Sequence, residues 1–283
     1  MRSLLAFVLL LVTFSSRALA QDHDAHHSHV MSMPDPAAES TAPPPVPDDH
    51  AADRFYDFAD MAKAREALRH ESGGMGASML MIDRLEWRSH GGRQGYAWEV
   101  EGWTGGDLDR LAFKTRGERG ANGDLDNAEA QVGWSHALDP WFNLRAGLRQ
   151  DFRPRPMRTH AVLAVEGIAP YWFEVEGEMF LSNKGELTGR AEANYDLRLS
   201  QRVILQPAVE LNFSAQDIEL LRLGSGISSV ELGARVRYEF AREFAPYLGV
   251  HWERKLGSTA RFARAYGEDV GGLSVVAGVR LWF

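Results

Sequence analysis

From Ser78 onward, apolar and polar residues alternate along the chain with a period of two. The clearest stretch places Leu187, Gly189, Ala191, Ala193, Tyr195 and Leu197 on one side and Arg190, Glu192, Asn194 and Asp196 on the other. The next places Val230, Leu232, Ala234, Val236, Tyr238 and Phe240 against Glu231, Arg235, Arg237 and Glu239. Phe173, Val175, Gly177 and Met179 oppose Glu174, Glu176 and Glu178, and Leu144, Ala146 and Leu148 oppose Arg145 and Arg149. Successive side chains of a strand point to opposite faces, so each segment reads as a strand with one apolar and one charged face. Such strands are expected at 78–88, 95–103, 107–119, 125–137, 141–152, 158–168, 171–181, 186–198, 202–213, 227–240, 244–256 and 273–283. The first has the poorest phase, because Asp83 falls on the face of Leu85 and Trp87.

Alternation alone does not fix the solvent, since a soluble antiparallel sheet alternates too. Four further features do. The segments run about ten residues or more, which is the length a tilted strand needs to cross a bilayer. They follow one another with little helix between them. Short turns at Thr104–Asp107, Leu138–Pro140, Ala169–Pro170, Leu199–Gln201 and Ala241–Glu243 alternate with longer loops, the longest near Ser214–Gly226 and Gly257–Gly272. That is the pattern of a barrel with a periplasmic and an outer rim. The chain also ends on an amphipathic strand closing in Phe283, which resembles an outer-membrane sorting signal. Trp103, Trp134, Trp141, Tyr171, Trp172, Phe244 and Trp282 gather near the short turns, as an interfacial aromatic girdle would. The fold expected is therefore all-β: a transmembrane antiparallel up-and-down β-barrel of about 12 strands, occupying residues 78–283.

Ahead of the barrel the period changes. Residues 1–20 read as a secretory signal, with Arg2, an apolar run from Leu4 to Phe14 and a small-x-small site at Ala18-Leu19-Ala20. Gln21 rather than Cys follows, which argues against a lipoprotein. Residues 21–52 are rich in His, Met and Pro and too poor in apolar side chains to build a core, so a disordered tail is expected. Residues 53–77 should hold a short periplasmic helix, on which Phe55, Phe58, Met61 and Leu68 form a stripe, followed by a glycine linker at Gly73, Gly74 and Gly76. No later stretch is apolar for long enough to form a membrane-spanning helix.

With no cysteine, the chain can form neither disulfides nor thiolate metal sites, and any soft-metal chemistry falls to Met and His. A net charge of −8 makes nucleic acid a poor partner and cations a fair one. The sharpest chemical signal is His23, His26, His27 and His29 followed by Met31 and Met33. Imidazole accepts Cu(II), and thioether prefers Cu(I), so this tail suits a copper ion in either oxidation state. Met75, Met79 and Met81 come next; Met79 and Met81 share a strand face and read either as a thioether pair near the barrel entrance or as apolar filling.

The inward phase collects Glu99, Glu101, Glu166, Glu174, Glu176, Glu178, Glu192, Glu210, Glu231 and Glu239. It also collects Arg110, Lys114, Arg116, Arg145, Arg149, Arg190, Arg198, Arg235 and Arg237. This interior reads either as a cation path along Glu174, Glu176 and Glu178 or as a salt-bridged brace. His160 and His251 also fall inward, as ligands or as structural side chains. No catalytic constellation stands out, because the adjacent Ser135 and His136 must face opposite sides of a strand. Rival functions are a structural or general-diffusion barrel with an incidental tail, and a barrel hydrolase.

Several strings are longer than amphipathicity demands: Asp83-Arg84-Leu85-Glu86-Trp87, Ala169 to Gly177, Ala193 to Pro207, and Arg237 to Gly249 running on to Trp252-Glu253-Arg254-Lys255. In these strings the chain resembles the copper resistance protein B family over almost its whole mature length. The resemblance implies a copper-binding barrel in the outer membrane of a Gram-negative bacterium, with its tail in the periplasm. It further implies outer-membrane lipid, copper ions and a periplasmic copper-binding protein or multicopper oxidase of the same system as partners. Many members repeat Met/His/Asp motifs in the tail. Here there is one His-rich cluster without a clear repeat, which shifts the expected chemistry from Cu(I) storage toward Cu(II) and imidazole.

Overall fold

The computed structural model describes residues 50–72, 76–120, 123 and 125–283. The expected signal at 1–20, nearly all of the tail with His23, His26, His27, His29, Met31 and Met33, and Met75 lie outside the described residues.

The alternating segments form strands β1 (Ala77–His90), β2 (Arg93–Gly105), β3 (Asp109–Arg119), β4 (Leu125–Ala137), β5 (Phe142–Arg153), β6 (Arg158–Ala169) and β7 (Phe173–Ser182). They continue as β8 (Leu187–Asn194), β9 (Leu197–Arg198), β10 (Val203–Ser214), β11 (Gly226–Tyr238), β12 (Phe244–Lys255) and β13 (Gly271–Trp282). Each pairs antiparallel with its neighbours, and β1 pairs with β13, so the sheet closes on itself and has no free edge. β8 and β9 are two lengths of one stave: both pair with β10, on either side of Tyr195-Asp196. The break lies opposite Pro207, which has no N–H to donate and only accepts from the Tyr195 amide at 3.2 Å. Counting these two as one gives a barrel of 12 staves.

The outer wall exposes Leu111, Phe113, Val132, Leu148, Leu163, Leu181, Leu232, Leu248 and Val275, while the inner wall buries charge. Apolar side chains left outward and ions turned inward are what a bilayer around the wall selects. Trp134, Trp141, Tyr171, Trp172, Phe244 and Trp282 are exposed close to the short-turn rim. Trp103 departs from the expected girdle. It shares the inward phase with Glu99 and Glu101 and lies under the Arg110 guanidinium, 4.0 Å from ring centre to Cζ. Arg198, expected inward, is exposed on the short β9.

Turn lengths follow the expectation on one rim only. The turns at 106–108, 138–141, 170–172, 199–202 and 239–243 are all short. On the opposite rim the loops at 215–225 and 256–270 are long, but β1 and β2 are joined by Gly91 and Gly92 alone. Their φ values of 55° and 82° suit a tight hairpin turn that L side chains enter with strain. Both ends of the barrel sheet lie on the short-turn rim, where Leu80 and Phe283 exchange backbone hydrogen bonds of 3.1 and 2.8 Å.

The poor phase of the first strand is a β-bulge. The register of β1 shifts between Ile82 and Arg84 against β2, and between Ile82 and Leu85 against β13. The extra residue lets Met79, Met81 and Asp83 face inward before the bulge and Arg84, Glu86 and Arg88 after it. Before the barrel, α1 (Phe58–Ser72) begins at Asp57, whose carboxylate accepts from the amides of Ala59 and Asp60 at 2.9 and 3.2 Å. A second helix, α2 (Gly257–Ala265), occupies the loop between β12 and β13, where the sequence pattern indicated only a loop. No helix among the described residues is long and apolar enough to cross a membrane.

Candidate functional site

The strands present their charged face to the lumen, and the register decides which charges meet. Near mid-height the lumen is crossed by ion pairs between staves far apart in the wall. Arg116 on β3 reaches Glu192 on β8 at 2.5 Å and Glu210 on β10, across the bore, at 3.4 Å. Lys114 on β3 meets Glu176 on β7 at 2.7 Å. Arg190 on β8 meets Glu129 on β4 with two bonds of 2.9 and 3.1 Å, and Arg149 joins the same carboxylate at 2.8 Å. Arg235 on β11 holds Glu86 on β1 with bonds of 2.8 and 3.3 Å. Glu86, Glu129 and Glu178 are almost completely buried. Removing one partner of such a pair strands a charge away from water, at a cost of about 3–5 kcal/mol.

A cavity of about 540 Å³ occupies the lumen on the short-turn side of this layer. Met79, Met81, Glu101, Trp103, Glu174 and Arg280 line its outer part. Arg280 forms an ion pair with Asp83 at 2.9 Å, and its Nη2 sits 3.3 Å from the Met81 sulfur. Deeper in, Glu231 and His251 face one another, with Nε2 of His251 3.6 Å from the Glu231 carboxylate.

One register feature was invisible strand by strand. Glu166, Glu176, Glu192, Glu210, Glu231 and Glu253 are successive cross-strand partners from β6 to β12. Like charges directly opposite repel, so this half-belt of carboxylates needs cations. Arg145 meets Glu166 at 3.5 Å and also pairs with Glu176, and Arg190 lies 3.5 Å from Glu210. With Lys114 and Arg116, these side chains serve the first four members of the belt.

The sequence-derived candidates divide accordingly. Met79, Met81, Glu174, Glu176 and His251 line the cavity. Glu178 lies outside it, bound by Arg145 at 3.0 Å and Arg190 at 3.3 Å. His160 is also buried outside the cavity, 3.7 Å from Asp151 and edge-on to Phe180. Ser135 is buried in the lumen, whereas His136 is half-buried on the other face and bonded to Asp109 at 2.8 Å. Among the described residues, no three His, Asp or Glu side chains are grouped closely enough to enclose an ion. Arg84, Glu86, Arg88, Glu129 and Asp151 were missed as lumen residues. The bulge in β1 hides the phase of the first three, whereas Glu129 and Asp151 keep the alternation of Gln131 and Ser135 and of Arg145 and Arg149 and were open to it. Arg280 stands on the polar phase of the last strand, where alternation alone could have found it.

Outside the spanning staves, the turn after β7 is pinned to β6. Arg158 donates to Glu186 at 2.8 and 3.2 Å, and this hydrogen bonding holds the Glu186 carboxyl below the usual carboxylate range.

The family model described as Copper resistance protein B precursor (CopB) matches residues 77–283, the whole of the barrel. The chain belongs to the copper resistance protein B family. It is 40% identical over 267 residues to "Copper resistance protein B" of Escherichia coli, covering 94% of this chain and 87% of that protein. It is 38% identical over 263 residues to "Copper resistance protein B homolog" of Pseudomonas syringae pv. tomato, covering 93% and 86%. Among solved structures, the barrel is similar to the NanC porin with a TM-score of 0.49 at 12% identity, covering 71% of this chain and 98% of the porin. Family and architecture together make this copper resistance protein B relative an outer-membrane barrel of a Gram-negative bacterium.

Proposed function

We propose that this outer-membrane barrel acts in copper resistance by capturing copper on its periplasmic tail and holding it in, or passing it through, the cavity beside the short turns. Family membership supports the copper assignment. The observation that carries the route is positional. β1 enters the barrel at the short-turn rim, and its first inward residues, Met79 and Met81, line the cavity on that side. Cargo released by a tail joined to β1 therefore meets thioethers first. His23, His26, His27 and His29 supply imidazole for Cu(II), and Met31 and Met33 supply thioether for Cu(I). A periplasmic copper-binding protein or multicopper oxidase of the same system would exchange copper with the tail. The cross-bore ion pairs weigh against a general-diffusion pore, because they occupy the space through which solutes would pass.

The test uses the full chain with the four tail histidines changed to Gln and Met31 and Met33 to Leu. Wild-type protein should bind Cu(II) or Cu(I) more tightly than micromolar; the variant should lose that binding, and cells carrying it should become copper-sensitive. Unchanged affinity and unchanged copper sensitivity would sink the role of the tail.

A further inference from the structure

We infer that Glu231 and His251, with Glu253 beside them, form a divalent-cation station in the lumen wall suited to Cu(II). This rests on the proposal that copper enters the barrel.

The carboxylate belt is unevenly supplied with cations. Its first four members, Glu166, Glu176, Glu192 and Glu210, each have a Lys or Arg within ion-pair distance. The last two do not: among the described residues, no Lys or Arg comes that close to Glu231 or Glu253. These two are direct cross-strand partners, and Glu231 is also the partner of Glu210. Like charges at that spacing repel. The basic groups facing this end of the belt are Arg84, Arg88 and Lys255, and each is already engaged. Arg84 is bound by Glu99, Arg88 by Glu86 at 2.8 Å and Glu118 at 3.3 Å, and Lys255 by Glu268 at 3.3 Å. One end of the belt is thus electrostatically unfinished.

An independent observation marks the same place. His251 is only 5% exposed, and its Nε2 has no hydrogen-bond partner. That nitrogen points toward the Glu231 carboxylate at 3.6 Å, which is too long for a hydrogen bond. Two neighbouring ligands on a square-planar or tetragonal Cu(II), each at about 2.0 Å, stand roughly 2.8 Å apart, and on a tetrahedral ion roughly 3.3 Å. The observed gap exceeds both by less than an ångström, so a small turn of either side chain brings the two onto one ion. Both residues line the cavity, so an ion arriving there can reach them.

The donor set decides the ligand. Imidazole nitrogen and carboxylate oxygen suit a borderline divalent ion, whereas Cu(I) prefers thioether. The cavity thus offers sulfur near its outer part, at Met79 and Met81, and nitrogen and oxygen farther in. Among the described residues, no third His, Asp or Glu closes the set into a cage, so water completes the coordination. An ion held by two side chains and water can leave again, which suits cargo more than a structural metal.

The test uses full-length protein in detergent, with the tail histidines changed to Gln as background, titrated with Cu(II) alone. Stoichiometry and the nitrogen splitting in the electron paramagnetic resonance spectrum are read together. The background protein should bind one Cu(II) with imidazole nitrogen coupling. His251→Gln should abolish that coupling, and Glu231→Gln should weaken the binding while keeping the nitrogen signal. Retained heat-modifiable migration shows that each variant is folded, and either variant alone suffices if the other fails to fold. Failure to bind Cu(II), or an unchanged spectrum and stoichiometry in the folded variant, would mean a plain His–Glu contact and overturn the station. With the tail intact, His251→Gln should leave tail copper unaltered. Loss of tail copper without loss of the station, or the reverse, separates the two readings.

Discussion

At Gly117 the lipid-facing wall has no room for a side chain. A Cβ there would collide with the ring of Trp98, its direct partner on β2. Gly102 and Phe113 repeat the arrangement on the same pair of strands, with 2.6 Å between the would-be Cβ and the ring. An aromatic ring laid over a cross-strand glycine restores the packing that the glycine lacks. Gly117→Val should force the indole off the wall and cost about 1–3 kcal/mol in urea unfolding from detergent or lipid. Trp98→Ala should cost less in the Gly117→Val background than in wild type, because the collision is then gone. Equal costs in both backgrounds would refute the pairing. Alternation places Trp98 and Phe113 on the apolar face, but pairing each with its glycine requires the register. Asp83 shows the same limit: the sequence displayed a phase error there, and only the strand pairing reveals the bulge behind it.

Between residue and molecule, the strands were the most legible elements. Each expected segment overlaps an observed one, because a closed wall between lipid and ions imposes period two along its length. Loops carry no such constraint. Alternating turn length failed at the hairpin of Gly91 and Gly92, and α2 went unseen inside its loop. That loop and the one at 215–225 pack on each other. Ile218, Ala260 and Ala263 are buried, the Gly224 amide donates to the Thr259 hydroxyl at 2.9 Å, and Arg222 pairs with Glu268 while lying 4.2 Å over Tyr266. The Arg222–Glu268 pair is exposed, so it contributes about 1 kcal/mol or less. Arg222→Ala should therefore raise local opening up to ~5-fold without unfolding the barrel. Trypsin cleavage at Arg261 and Arg264, followed by mass spectrometry, reads that opening. Unchanged cleavage would show that the buried apolar contacts alone hold the loops.

Over the whole molecule, alternation left the charged interior open to two readings, a path or a brace. It could not choose between them, because ion pairing across a bore depends on closure and register together. The closed barrel places Arg116 against Glu192 and Glu210, and Lys114 against Glu176, so the middle of the lumen is braced. The cavity, with Glu231 and His251 in its wall, lies on the short-turn side of that layer. A brace and a path respond differently to the loss of one cation. Arg116→Ala strands Glu192 and Glu210 with fewer counter-charges and frees the space the guanidinium filled. Stability should fall by about 3–5 kcal/mol, the cost of leaving buried carboxylates unpaired. Conductance in planar bilayers should rise from a low wild-type level, with selectivity for cations over anions, since the widened constriction is then lined by net negative charge. Arg116→Met fills most of the same space without the charge, so it should share the instability but conduct less than Arg116→Ala. If both variants keep wild-type stability and conductance, the cross-bore pairs are neither brace nor barrier, and passage through the barrel runs elsewhere.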